Sequence, residues 1–362
     1  MFKHLNLKQK EEKMTKISKL FLGMLFSALL ISPSYAGEMS VTGSAKASYV
    51  TNGDDDSAGK NLGVSNELDF SASGELDNGM TWSYQVQLDG ATTANDDSKL
   101  VLGTDYGTIG IFSTEGGLSQ ELAHGIGALG VGYDNLSPTS FEAGYDVSTY
   151  SNIQYHLPAD LLPFGATVKV GYVPNMMATT QLSKGDSAAN VSEATGRTLE
   201  MITVGLAPID GLTINADAAQ TGNASGATGP NGREDGVSAN VGAKFTYGQV
   251  SVGYGEGGYQ PAVASGELAY YENKVWGVQF DVNESLSISY NMDESEKNQR
   301  VAVANDATAG TKTITAMEQE SVQVAYTTGG MTIGLTQAEV TNSDYVSGKD
   351  EAQSMIDIAI AF

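Results

Sequence analysis

The sequence contains no cysteine, so a disulfide framework and a thiolate-held zinc or iron–sulfur site are both excluded. Basic residues are scarce, with 19 Lys+Arg against 43 Asp+Glu and a formal charge of −24. Such a chain repels phosphate instead of releasing counterions from it, and no nucleic-acid partner is expected. Beyond residue 36 no apolar stretch is long enough to cross a bilayer as a helix, which needs about 20 residues. Helical i, i+3, i+4 spacings are few as well. Past residue 36 the only histidines are His124 and His156, and neither has an assignable Ser or Asp partner. No enzyme activity is expected. Proline is low at 8, whereas Gly reaches 43 and Tyr 17, which leans towards strands and turns. The length of 362 residues allows one to three domains, or one large all-β barrel.

The first 36 residues read as a targeting segment. Lys3, Lys8, Lys10, Lys13, Lys16 and Lys19 precede the apolar run Leu20 to Ile31, and Ser34-Tyr35-Ala36 follows. A basic stretch, a short apolar stretch and a small-x-small end make a secretory signal peptide. Met14 to Ala36 is a complete signal by itself, so the start lies at Met1 or Met14. Removal takes six Lys and two Glu, leaving 13 basic against 41 acidic residues. Two units follow: a signal peptide over 1–36 and one barrel over 37–362.

What recurs past residue 36 is alternation with period 2. Leu62, Val64, Leu68, Phe70, Ala72 and Leu76 share one parity, with Glu67, Asp69 and Glu75 on the other. The turn Asp77-Asn78-Gly79 follows, then Trp82, Tyr84, Val86 and Leu88 alternate against Gln85, Gln87 and Asp89. Asx-Gly between alternating runs signals a hairpin, because these residues tolerate positive φ. The pattern returns at 167–172, 212–218, 237–246, 276–292 and 356–362. Period 2 places each set on one face of a sheet.

A soluble sandwich alternates too, so three further features decide. Short connections are expected near 77–79, 104–107, 158–163, 207–211, 247–249, 282–285 and 328–330. Long polar ones are expected near 51–61, 90–98, 114–147, 174–197, 220–236, 255–267, 293–313 and 341–351. That asymmetry belongs to outer-membrane barrels, and it implies about sixteen strands. About ten residues at roughly 3.3 Å each, tilted about 40°, cover an apolar band of about 25 Å. Aromatic side chains also sort into two girdles, with Trp82, Phe164, Tyr247, Phe280, Tyr326 and Phe362 near short turns and Tyr49, Tyr172 and Tyr290 near long loops. The fold class is therefore all-β, a transmembrane antiparallel barrel. It must close, because unpaired edge groups in hydrocarbon cost several kcal/mol each. At this strand number the lumen holds water.

The signal segment, the alternating strands, a long third loop and the terminal Phe362 together resemble a Gram-negative general diffusion porin. The segments Leu100 to Phe112 and Phe164 to Tyr172 are similar to those of alphaproteobacterial porins. The resemblance covers 37–362. It implies an outer-membrane location among lipid and lipopolysaccharide, a homotrimer, and a third loop folded inwards to narrow the pore. It also implies that the last strand, with Ile356, Ile358, Ile360 and Phe362, is read by the barrel-assembly machinery. Small ions and hydrophilic solutes would pass by diffusion. The alternatives are a substrate-specific channel, for instance for a sugar, or a structural or adhesive barrel with a plugged interior. The aromatic run along the lumen that would mark a sugar channel is not evident.

The candidate constriction lies between about Ser113 and Val147, where Glu115, Glu121 and Asp134 are the acids expected at the narrowing. Inside a low-dielectric constriction their field would concentrate cations and exclude anions. Glu67 and Asp69 share the lumen parity, as do Asp89, Asp217, Asp281 and Asp357. Family pores often set a wall cluster of Arg against the loop acids. This sequence departs from that, having only Arg197, Arg233 and Arg300, all in expected outer loops. Lys46, Lys169 and Lys244 have lumen parity and stand as candidate wall cations. Without an Arg ladder a phosphate-selective pore is not expected, and a cation preference is. Asp54-Asp55-Asp56 offers hard oxygen ligands suited to Ca²⁺ on an outer loop, or simply a solvated turn; no other cofactor is expected.

Overall fold

The computed structural model describes residues 37–52, 60–89, 97–120, 141–142, 144–176, 198–222, 235–262, 268–300 and 312–362. Sixteen antiparallel strands close into one barrel. They are β1 (Glu38–Asn52), β2 (Lys60–Glu75), β3 (Thr81–Asp89), β4 (Ser98–Thr104), β5 (Gly107–Ser113), β6 (Asn152–His156), β7 (Thr167–Val173) and β8 (Thr198–Ile209). The second half is β9 (Leu212–Gly222), β10 (Val237–Tyr247), β11 (Val250–Gln260), β12 (Leu268–Asn283), β13 (Leu286–Arg300), β14 (Lys312–Thr328), β15 (Met331–Thr341) and β16 (Glu351–Ala361). Each strand pairs with its chain neighbours, and β1 pairs with β16 in the register Ser44–Ala361 to Asn52–Gln353. Phe362 completes the seam: its N–H donates to the Gly43 carbonyl at 3.0 Å, and the Gly43 N–H donates back at 2.9 Å. No edge remains to be satisfied in lipid.

The connections alternate as the sequence reading expects. The first short one is a three-residue loop at 77–79, closed by hydrogen bonds between Leu76 and Met80 and Gly79, with Gly79 at φ 82°. A side chain there would strain the backbone, which is why Gly follows Asn in this turn. The connection after β6 departs from a tight turn: two 3-10 turns, Ala159–Leu161 and Pro163–Gly165, bridge to β7.

Burial is inverted relative to a soluble domain. Large apolar residues face outwards and are exposed, among them Leu62, Val64, Ile111, Val241, Ile288 and Ile356. Polar residues are buried on the inner face, including Gln154, Asn240, Ser289, Asn291 and Gln323. The outward aromatic residues Tyr49, Tyr172, Phe280, Tyr326 and Phe362 are exposed on the outer wall. Two further residues join Tyr290 in the long-loop girdle: Tyr254 sits opposite Trp276, and the Trp276 and Tyr290 rings lie 5.5 Å apart.

In place of the loops expected from about 255 and 293, the strands run on. Strand pairing continues to Gln260 and Arg300, and β14 begins at Lys312, so Arg300 ends a strand and is not in a loop. Backbone pairing does not need apolar side chains, and here charged pairs such as Lys274–Glu294 at 3.5 Å support it above the girdle.

Candidate functional site

The third connection leaves the wall at Thr114, a β-branched residue at φ 52°, a region that such residues rarely adopt. From there the chain enters the lumen. Leu118 is buried with Val147 against Val173, Leu199, Met201 and Ala219 on the inner faces of β7, β8 and β9. This is an apolar patch on an otherwise polar wall, and it exists because the loop covers it. Gly171 makes the approach possible, since a Cβ there would lie 2.9 Å from Leu118 Cδ1 and 3.1 Å from Val147 Cγ1.

Polar contacts fix the same limb. Thr203 Oγ1 donates to the Leu118 carbonyl, and the Gln120 N–H donates to Asp217. Asn240 Nδ2 donates to the Asp217 carboxylate at 3.1 and 3.2 Å, so that acid is held from β10 as well. Gln154 Nε2 donates to the Gly116 carbonyl, and Asn152 Nδ2 donates to the carbonyls of Glu115 and Val147. Asp146 ties the two limbs together by accepting from the N–H groups of Leu118, Ser119 and Ser148. The return limb crosses β10 to β12, where the Tyr145 N–H donates to Ser238 Oγ at 3.1 Å and Asn273 Nδ2 donates to the Glu142 carbonyl at 3.2 Å. Both described limbs therefore lie against the inside of the wall, as expected of the third loop. A closed cylinder with a polar inner face and chain folded into it is an architecture known from solved proteins.

The fold is that of the outer-membrane porins. OmpT of Vibrio cholerae in its trimer form superposes with a TM-score of 0.61 at 13% identity, over 90% of this chain and 100% of that one. An anion-selective porin from Comamonas acidovorans gives 0.60 at 14% identity, again over 90% and 100%. A variant of the Rh. blastica porin gives 0.53 at 12% identity over the same shares. No family model matches the sequence, and no curated protein does. The likeness is one of fold. With an anion-selective porin among these structures, the fold gives no support to a cation preference, and the charges of this chain have to be read individually.

Of the acids expected at the narrowing, Glu115 is on the entering limb, and its carboxylate lies 3.2 Å from Lys99 Nζ of β4. Glu121 and Asp134 fall outside the described residues, as do Asp54, Asp55 and Asp56. Among the described residues no cluster of three His, Asp or Glu side chains is placed to hold a metal. Glu67 and Asp69 sit on the inner wall, accepting from Gln87 at 2.6 Å and Gln85 at 2.7 Å. Lys46 faces inwards and interacts electrostatically with Asp357. Lys244 stands in the same relation to Asp281, and Lys169 lies opposite His156 in the register of β6 and β7. Ile356, Ile358 and Ile360 face outwards and are exposed next to the seam with β1.

Several functional side chains escaped the sequence reading. Lys99, the partner of Glu115, stands at the start of a short strand that abuts a long loop. Asp217 has the lumen parity, but its hold on the loop joins residues 97 positions apart. Aromatic residues do occur inside: Tyr259 and Tyr271 face the lumen at the outer mouth, with Tyr145 and Tyr345 against them. Their rings pack on one another instead of forming a track along the pore. Burial, the leading cause, holds the Tyr345 phenol above its ordinary value, so it stays protonated and able to donate.

Proposed function

We propose that this chain is an outer-membrane porin of a Gram-negative bacterium, of the alphaproteobacterial type, through which small hydrophilic solutes and ions diffuse passively. The observation that carries the reading is a closed sixteen-strand barrel whose third connection lies within a polar lumen and is fastened to its wall. Passage needs no bond to be made or broken, and the catalytic groups of an enzyme have no task in it. Residues 1–36 serve export, and the outward Ile356, Ile358, Ile360 and Phe362 are the strand recognised by the assembly machinery. Lipid and lipopolysaccharide surround the girdled wall.

The selectivity proposed is for cations. Among the described inward positions on the strands, Glu38, Glu67, Asp69, Glu75, Asp217, Asp281, Asp293, Glu351 and Asp357 outnumber Lys46, Lys99, Lys169, Lys244 and Lys297. Walls of low dielectric focus that excess into the lumen and raise the local cation concentration. Pairing with Lys99 reduces what Glu115 contributes, so the wall acids carry more of the effect than the loop root does.

The channel is also proposed to be a homotrimer, on the strength of a low wall. Strand β6 has 5 residues, which at about 3.3 Å each and a tilt of about 40° reach about 13 Å. Its neighbours β5 and β7 have 7 each and reach about 18 Å. The apolar band to be spanned is about 25 Å, so lipid would meet irregular backbone at this side. Another copy, with the same low wall, would exclude it.

The reversal potential of purified, folded protein in planar bilayers, measured across a KCl gradient, tests the reading. Ion current with a potential of the sign for K⁺ preference is expected. Absence of current defeats the channel, and a chloride-type sign defeats the selectivity alone.

A further inference from the structure

We propose that Tyr345, in the eighth outer connection, is a positioning residue of this channel: it clamps the return limb of the inward third loop and so couples the eighth connection to the aperture. The proposal rests on the channel reading above and adds a residue and a coupling to it.

The clamp is a closed ring of hydrogen bonds. The Glu142 N–H donates to the Tyr345 hydroxyl at 3.3 Å, and the Glu142 carbonyl accepts from Asn273 Nδ2 at 3.2 Å. The Ser295 hydroxyl donates to Asn273 Oδ1 and lies 2.7 Å from the Tyr345 hydroxyl. With the Ser295 proton committed to Asn273, the phenol must be the donor to Ser295. Every donor in the ring then has an acceptor, and both backbone groups of Glu142 are held by side chains from other elements. Asn273 and Ser295 are buried and Tyr345 is half-buried, so the inner part of this partnered network is screened from water and favours one geometry.

Aromatic packing reinforces the ring. The Tyr345 and Tyr271 centroids lie 5.3 Å apart, and Lys297 Nζ sits 5.6 Å from the first ring and 5.8 Å from the second. Tyr271 stacks on Tyr259 at 5.7 Å, and Tyr259 meets Tyr145 of the return limb edge-on at 5.1 Å. The Tyr145 hydroxyl accepts from the Ala262 N–H at 2.8 Å, so the limb is pinned at both Glu142 and Tyr145.

The eighth connection is built to present this ring. Asn342, Asp344 and Tyr345 have φ of 53°, 56° and 59°; Asn and Asp tolerate this region, but for Tyr345 it is costly and the surroundings must impose it. Lys349 bonds Asp344 and lies 3.0 Å from Glu351, while Asn342 Nδ2 donates to the Ala316 carbonyl at 2.8 Å. A turn fastened at its base to β14 and β16 thus holds a side chain that reaches a loop more than 200 positions away in sequence, 203 between Glu142 and Tyr345. A packed patch that merely stabilised the barrel would change its melting without changing the current through folded protein. The clamp predicts the opposite.

The test records single channels of the full mature protein as wild type, Tyr345→Phe and Tyr345→Ala, with heat-modified gel mobility confirming the folded barrel. Tyr345→Ala is expected to increase the time spent in altered conductance levels about three- to tenfold, the range that loss of one aromatic contact implies. Tyr345→Phe keeps the ring stacking but opens the hydrogen-bonded circuit, and should fall between. A second variant, Glu142→Cys with Tyr345→Cys, exploits the absence of native cysteine. It should flicker as the alanine variant does and become quiet once a short bis-maleimide joins the two thiols. Folded Tyr345→Ala with wild-type level statistics, failure of the bis-maleimide to join the pair, or a cross-link without effect on the current would each overturn the clamp. A silent wild type would instead overturn the channel reading.

Discussion

Gly171 shows how much of the pore's shape depends on single side chains. Its missing Cβ is the space that Leu118 and Val147 occupy, and the entering limb can lie flat only because that space is open. Gly171→Leu would drive a side chain into both, and since Val147 and Leu118 are packed flat against the wall the limb must lift to relieve the clash. Overpacking of this sort costs about 1–3 kcal/mol, and here the loop can yield more readily than a closed barrel can. The expected outcome is a folded barrel of unchanged melting temperature with a larger and less uniform single-channel conductance. Leu118→Ala should act in the same direction by a different route, leaving a cavity under the limb. Unchanged conductance in both variants would mean that the described limb does not govern the aperture.

Among the elements, the short strands β5 to β7 carry a prediction that the long ones do not. Their outward residues Ile111, Ile153 and Val170 are exposed on a wall too low to span hydrocarbon alone. A depression of about 990 Å³ on this side is bordered by Ile109, Ile153, Tyr172, Ile202 and Val237. If a second copy covers it, Ile153→Lys places an unpaired charge in an apolar contact, and the trimer band on unheated gels should give way to a folded monomer band. The equivalent change on a tall strand, Ile288→Lys, should leave association intact while impairing insertion. Much of this element layer was legible in the sequence. Alternation and Asx-Gly turns locate strands, because side-chain direction has a period of 2 and a tight turn needs positive φ. Strand ends above the membrane were not legible, since Glu294, Glu296 and Glu318 have polar side chains yet continue a backbone ladder. The loop anchor was hidden too. Leu199 and Met201 are apolar and share a parity, yet they face inwards, covered by Leu118 from a distant part of the chain. Nothing local in a sequence announces a contact of that kind.

At the scale of the whole molecule, the proposed selectivity rests on the charge excess. Without residues 1–36 the chain has 41 acids against 13 bases, and those on the inner wall act on any ion inside. How far each acts depends on salt. At about 0.1 M the screening length is about 10 Å, comparable with the reach of side chains across a narrowed lumen, whereas at 1 M it falls to about 3 Å. Paired acids such as Glu115, 3.2 Å from Lys99, look nearly neutral at either concentration. Glu67 and Asp69 are held by neutral Gln side chains and keep their charge on offer. Cation preference arising from diffuse wall charge must therefore weaken steeply as salt rises. A preference arising from a site that binds ions by direct contact would persist. We expect the zero-current potential, at a fixed tenfold KCl ratio, to fall towards zero as both compartments are moved from tens of millimolar to molar. Conductance should at the same time rise less than in proportion to salt at the low end, because the wall supplies its own counter-ions there. In a Glu67→Gln, Asp69→Asn double variant the low-salt potential should shrink while the high-salt one stays put. Equal shifts at both ends would place selectivity in direct contact with ions and remove it from the wall.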